Sequence, residues 1–305
     1  MRVLSLLSGG GGLDMAVERL WPDVEIVAFS ETDKAASQVL ARWWPDVPNL
    51  GDIRTVGWSS VGDIDVMVGG YPCQPWSNAG RRKGADDDRD GWPWFRDAIR
   101  QVGPQLVLLE NVRGHVVPAG AGRTVGDLAD LGYGAEWGVL RASDVGAPHR
   151  RERWFCVAYP DGGGLEGVTQ RHGRTDRPGL EASRRDDAHR LGTTPDPDVS
   201  GPQGRRWHDV ASREDQAATF DWGAYGPAIR RWESILGRPA PPPLDEAGRL
   251  NAPFVEWMMG WPEGRTSGLS RNKALKVLGN GVVPQQAVAA YTQLLDRVPA
   301  MEDAV

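Results

Sequence analysis

The chain has 305 residues, 40% hydrophobic and 25% charged, enough for one large domain with a lobe or for two domains. Its two cysteines, Cys73 and Cys156, exclude a disulfide framework and fit a reducing compartment. A formal net charge of −6 excludes the strongly basic class of nucleic-acid binders but not a protein with a local basic cleft, and no apolar stretch approaches a membrane span.

In chain order, Val3 to Leu7 reads as a buried strand, too short for a signal peptide, and runs into Ser8-Gly9-Gly10-Gly11-Gly12 and a helix from about Leu13 to Leu20. Val24 to Phe29 is a second strand ending at Glu31-Thr32-Asp33, with a helix through Trp43. Ile64 to Val68 has the length and β-branched content of a buried strand and leads into Gly69-Gly70-Tyr71-Pro72-Cys73-Gln74-Pro75. Trp92 to Val102 has helical spacing, and Gln105 to Leu109 is an apolar strand closed by Glu110-Asn111-Val112. Thr124 to Leu131 reads as a helix; Ala135 to Leu140 and Trp154 to Ala158 read as strands. This alternation predicts an α/β fold on a mostly parallel sheet with helices on both faces.

After Pro160 the character changes. Residues 161–213 are rich in Gly, Arg, Asp and Pro without apolar periodicity, which predicts an irregular or partly disordered insertion. Phe220 to Ile235 regains apolar residues, Arg238-Pro239-Ala240-Pro241-Pro242-Pro243 is a stiff linker, and Phe254 to Met259 is short and apolar. Gly279-Asn280-Gly281 precedes Val282-Val283-Pro284 and a final helix, Gln285 to Leu295.

Cys73 sits between two prolines that stiffen its loop, beyond a strand end, where open α/β sheets bind ligands. It is either placed for chemistry or a small buried hydrophobe, as most free cysteines are. In the glycine run, Asp14 stands where a dinucleotide fingerprint beginning at Gly9 needs glycine, and the Gly-Lys-Ser/Thr of a P-loop is missing. The run therefore suits a nucleoside-type ligand without a pyrophosphate, or is simply a tight turn. Glu31 is where an acid accepts ribose hydroxyls; the alternative is a solvated carboxylate. Glu110, at the mouth of an apolar strand, is expected to have a raised pKa suited to a proton donor, or else caps a surface turn. Alternation should send Arg151 and Arg153 to one side of the next strand, to hold an anion or to form a solvated basic edge.

Taken in this order, the pieces resemble the DNA (cytosine-5)-methyltransferases. The family's first motif matches Leu7-Ser8-Gly9-Gly10-Gly11-Gly12-Leu13, its ribose-binding acid Glu31, and its adenine-binding motif Gly51-Asp52-Ile53. Its nucleophile motif matches Gly70-Tyr71-Pro72-Cys73-Gln74-Pro75-Trp76-Ser77, and Glu-Asn-Val is Glu110-Asn111-Val112. Gln-x-Arg-x-Arg appears as His149-Arg150-Arg151-Glu152-Arg153, and the closing motif as Gly279-Asn280-Gly281-Val282. Three positions depart from the family pattern: Leu7 replaces an aromatic residue, Thr32 follows the ribose acid, and His149 stands for the Gln of the arginine motif.

The resemblance implies a Rossmann-like catalytic domain over 1–160 and 270–298, closed by the C-terminal helix, and a smaller target-recognition domain over 161–269. It implies methyl transfer from S-adenosylmethionine, leaving S-adenosylhomocysteine and needing no metal, to C5 of a cytosine flipped out of double-stranded DNA. Cys73 is then the nucleophile that adds to C6, Glu110 the proton donor at N3, and Arg153 with Arg151 the holder of O2. The cofactor would lie on Leu7, Ser8, Gly9, Gly11, Gly12, Leu13, Glu31, Thr32, Asp52, Ile53, Pro72 and Asn280. Asn78 to Gly91 is expected to close over the flipped base. Arg171 to Arg190, with six arginines against four acids, is the expected DNA-facing stretch. A cytoplasmic monomer acting in a bacterial or phage-infected cell, with or without a cognate restriction endonuclease, completes the expectation. The alternatives are an RNA cytosine-5 methyltransferase on the same scaffold and a catalytically idle DNA-binding relative.

Overall fold

The computed structural model describes residues 1–72, 90–161 and 220–298. Among these, one sheet holds β1 (Arg2–Leu6), β2 (Glu25–Ser30), β3 (Val66–Gly69), β4 (Leu106–Val112), β5 (Tyr133–Leu140) and β6 (Arg153–Pro160), in the spatial order β2-β1-β3-β4-β6-β5. The pairings β1–β2, β1–β3 and β3–β4 are parallel; β6 runs antiparallel to β4 and to β5. The chain leaves β1 to one side for β2 and returns to its other side for β3. Such a reversal opens a crevice beyond the carboxyl ends of the strands. Register brings those ends level, with Leu6 opposite Gly69 and Gly69 opposite Leu109.

The helices are α1 (Gly12–Leu20), α2 (Lys34–Trp43), α3 (Trp92–Val102), α4 (Arg123–Asp130), α5 (Gly226–Leu236), α6 (Ala252–Met258), α7 (Arg271–Asn280) and α8 (Pro284–Leu295). Alternation along the strands sorts the core into two layers. Leu4, Leu6, Met67, Val107, Leu109, Trp154 and Cys156 pack with Phe95 and Ile99 of α3 and Leu128 of α4. Val3, Val66, Val68, Leu108, Phe155 and Val157 pack with Ala16 and Val17 of α1 and with Ala290, Tyr291 and Leu294 of α8. A third cluster joins Met15 of α1 and Ala35, Ala36 and Val39 of α2 to Trp232, Trp257, Trp261 and Val277. The residues beyond 220 therefore share a core with the first two helices.

Three local readings change. Leu7 leaves β1 with φ 52, because the chain turns there into the glycine run. β4 runs through Glu110 and Asn111 to Val112, since β6 supplies an antiparallel partner for each of them. Arg271–Asn280, to which the sequence assigned no element, is helix α7; its apolar stripe of Ala274, Val277 and Leu278 is short and becomes evident only against the third cluster.

Candidate active site

Three strand ends and one turn meet at the crevice. Leu7 N–H donates to Ser30 O (2.7 Å), and the Ser30 hydroxyl donates to Gly51 O (2.8 Å). Asn49 fastens the turn: its Oδ1 accepts from the N–H groups of Glu31 (3.0 Å) and Gly51 (3.1 Å), and its Nδ2 donates to Glu31 O (3.0 Å). Asn49 escaped the sequence reading, because a lone exposed Asn beside a proline carries no signal of its own. Glu31 accepts from Gly9 N–H at Oε2 (2.8 Å) and from Asp33 N–H at Oε1 (2.6 Å). Each carboxylate oxygen keeps further acceptor capacity for a hydroxyl. A Cβ on Gly9 would meet nothing within 4 Å, so the loop is open beside Glu31.

The opposite side of the glycine run is filled. A Cβ on Gly12 would stand 3.0 Å from the backbone of Val282, and one on Gly11, where φ is 84, would stand 2.4 Å from the Trp44 ring. Ser8 donates its hydroxyl to Ser5 O (3.0 Å), and Leu13 turns into the core. Thr32 is exposed, and Asn280 is exposed at the end of α7, two residues before Val282. Ile53 is buried in the core, while the Asp52 carboxylate is bound to Arg54, whose guanidinium pulls it down to about 2. An adenosine-type group fits this arrangement through the open Gly9, the acceptor Glu31 and the backbone around Gly51.

Glu110 and Arg153 lie diagonally on the same face of the β4–β6 ladder, through Glu110 opposite Phe155 and Val112 opposite Arg153. Arg153 Nε meets Glu110 Oε1 at 3.0 Å. Burial raises the Glu110 pKa, against the opposing pull of Arg153 and then Arg151. A Cβ on Gly70 would stand 2.9 Å from Glu110 Oε2, so glycine there lets the carboxyl sit against the strand end that leads to Pro72. Asn111, on the other face, donates from Nδ2 to Tyr71 O (3.0 Å). The Tyr71 hydroxyl meets His115 Nε2 (2.8 Å) and Thr124 Oγ1 (2.7 Å). Pro72 is exposed, and its carbonyl accepts from Gly91 N–H (3.4 Å). Cys73 to Ser77 and most of Asn78 to Gly91 lie outside the described residues, as do residues 162–219 with Arg171 to Arg190.

The expectation that alternation puts Arg151 beside Arg153 gives way. β6 starts at Arg153, and Arg151 has φ 36, so the strand period does not reach it. Arg151 Nη2 donates to Gly279 O (2.8 Å) and Gly281 O (2.5 Å), tying the arginine segment to the end of α7. His149 Nε2 meets Met258 O at 2.9 Å and ties the same segment to α6.

Asp14 is a further charged residue of the site that the sequence marked only as a misfit. It is fully buried in the first turn of α1, and burial raises its pKa from 3.8 to about 7. An acid whose folded pKa is raised contributes fully below about pH 4, and the contribution is lost as pH rises through about 7. The difference amounts to up to about 4 kcal/mol. Asp14→Asn should thus gain on the order of 2–4 kcal/mol over the parent at about pH 8 and almost nothing near pH 4. Urea titrations at the two pH values check this; equal gains at both would refute the assignment.

Among the described residues, no group of His, Cys, Asp and Glu could hold a metal ion, and no helix is long and apolar enough to cross a membrane. Residues 1–189 match the family model of the C-5 cytosine-specific DNA methylases. The chain belongs to that family. Among curated relatives, Type II methyltransferase M.AplI of Arthrospira platensis is 42% identical over 159 residues, which cover 52% of this chain and 45% of that protein. Type II methyltransferase M.NaeI of Lentzea aerocolonigenes is 32% identical over 164 residues, covering 52% and 40%. The match spans about half or less of these relatives' own length. The Dnmt2 methyltransferase of S. pombe shares the fold, with a TM-score of 0.60 and 19% identity over 97% of this chain and 98% of that one. A putative DNA modification methyltransferase encoded within an E. coli prophage does so too, at 0.56 and 16% over 97% and 100%.

Proposed function

We propose that the chain methylates C5 of cytosine at a specific short sequence of double-stranded DNA, through a covalent bond between Cys73 and C6. The observation that carries the reading is the pair of buried Glu110 and partly buried Arg153, set against Gly70 just before the Pro72-Cys73 motif. A raised carboxyl beside a fixed guanidinium can hold a pyrimidine by N3 and O2 together. A proton held at N3 by Glu110 makes C6 electrophilic, so the Cys73 thiolate adds there and C5 gains enamine character. One difficult displacement becomes two easier steps. S-adenosylmethionine, held by Glu31, Gly9 and the backbone near Gly51, supplies an electrophilic methyl group and leaves as S-adenosylhomocysteine. Loss of the C5 proton to a base or water then expels the Cys73 thiolate and restores the aromatic ring. C5 is inaccessible in a stacked duplex, so the target base is flipped out, and 161–269 is the segment that reads the flanking sequence.

The test uses purified protein, labelled S-adenosylmethionine, mixed-sequence duplex DNA and structured RNA, with methylated sites mapped. 5-Methylcytosine at one short DNA sequence supports the reading. Methylation of RNA alone would replace it with the RNA enzyme, and no transfer by folded protein would leave the idle DNA-binding relative.

A further inference from the structure

Arg265 follows α6 and is 4% exposed. Its Nε and Nη2 have no hydrogen-bond partner among the described residues, and burial lowers its pKa to about 10. Asp14, Glu18 and Glu256 are the carboxylates whose charges act on it. A guanidinium with two buried nitrogens left without hydrogen bonds is an expensive way to fill space, and an apolar side chain would serve the fold as well or better. What it does have is aromatic faces. Its central carbon lies 4.6 Å from the centroid of Trp43 and 4.1 Å from that of Trp44. Its carbonyl also accepts from Trp43 Nε1 (3.0 Å).

Trp44 in turn lies against the cofactor loop. Its Nε1 donates to Glu18 Oε1 of α1 (2.7 Å). A Cβ on Gly11 would stand 2.4 Å from the Trp44 ring and 3.1 Å from Arg265 Nη2. Gly11 precedes α1 with φ 84, and its N–H donates to Ser8 O (3.1 Å). Arg265 and Trp44 therefore back the residue that sets the path from Ser8 through Gly9, and Gly9 donates to Glu31.

We infer that Arg265 is a positioning residue for S-adenosylmethionine: stacked on Trp44, it holds Gly11 so that Gly9 and Glu31 are aligned before the cofactor arrives. This rests on the cofactor reading above. A loop fixed in advance avoids ordering on binding, so its loss appears as weaker cofactor affinity rather than slower chemistry.

The test is calorimetric titration of S-adenosylmethionine into the full chain, with initial rates on duplex DNA and thermal melts alongside. Arg265→Met should fold at least as stably as the parent yet bind the cofactor about tenfold more weakly. Its turnover at saturating cofactor and its KM for DNA should stay within about twofold. Arg265→Lys, which keeps a cation, should lose only about threefold. Trp44→Leu should lose about as much as Arg265→Met, and the double variant little more than either, because the two side chains act as one unit. Parental affinity in Arg265→Met or in Arg265→Lys together with Trp44→Leu, or fully additive losses, would overturn the inference. So would equal changes in the KM values for cofactor and DNA, which mark general loosening. A parent that binds no cofactor removes the cofactor reading itself, and the inference with it.

Discussion

Glu110→Gln should lower the rate of methyl transfer by roughly 10²–10⁴-fold, the range spanned by loss of a positioned proton donor. Gln preserves the length and planarity of the side chain in β4, so the β4–β6 ladder and the contact at Gly70 persist. It cannot carry the proton to N3, and it leaves Arg153 without its anion, 3.0 Å away in the parent. The pH dependence identifies the cause. Burial raises the Glu110 pKa, so the protonated form persists to higher pH than in a solvated Glu, and activity falls as pH passes the folded pKa. The Gln variant should lack that limb of the kcat/KM profile. A Gln variant with the parental rate and profile would move proton donation elsewhere.

Cys73→Ser should abolish turnover, by at least about 10⁴-fold, since removal of a nucleophile takes away the step on which the others depend. Serine keeps the size of the side chain between Pro72 and Pro75, but its hydroxyl is almost never ionised near neutral pH, whereas a thiol is readily activated. Affinity for S-adenosylmethionine and for DNA should remain within about threefold, because neither depends on the thiolate. DNA carrying 5-fluorocytosine separates the mechanism from simple inactivation. Fluorine replaces the C5 proton whose removal releases the enzyme, so the parent should accumulate a denaturant-stable complex and Cys73→Ser none. Methylation by the Ser variant at the parental rate would sink the covalent mechanism.

The parallel half of the sheet was legible because each of its strands is a contiguous apolar run, buried on both faces and followed by a helix with its own stripe. Glu110 and Glu31 were legible for the same reason: a charge closing an apolar run stands out. The rest depends on partners remote in sequence. β6 turns antiparallel and draws Glu110 into β4 through pairings across more than forty residues, which no local pattern announces. Arg151 parts from Arg153 because of one left-handed residue. The burial of Asp14 and Arg265 is set by α1, α2 and the turn after α6 coming together, and Asn49 has meaning only once Gly51 and Glu31 stand on either side of it.

The packing of Gly12 on Val282, and of Trp44 and Arg265 on Gly11, sets an order on how the protein is made. A ribosome extending the chain at about 5–20 residues per second produces β1 and the glycine run long before Arg265 and Val282 emerge. Until then the rear of the loop has no wall, and one face of the sheet lacks α8. A nascent chain can pair its early strands, but the glycine run gains its full packing only after the stretch from Arg265 to α8 has emerged. On the cofactor reading proposed above, competence to hold the methyl donor follows the arrival of that stretch rather than the making of the glycine run itself.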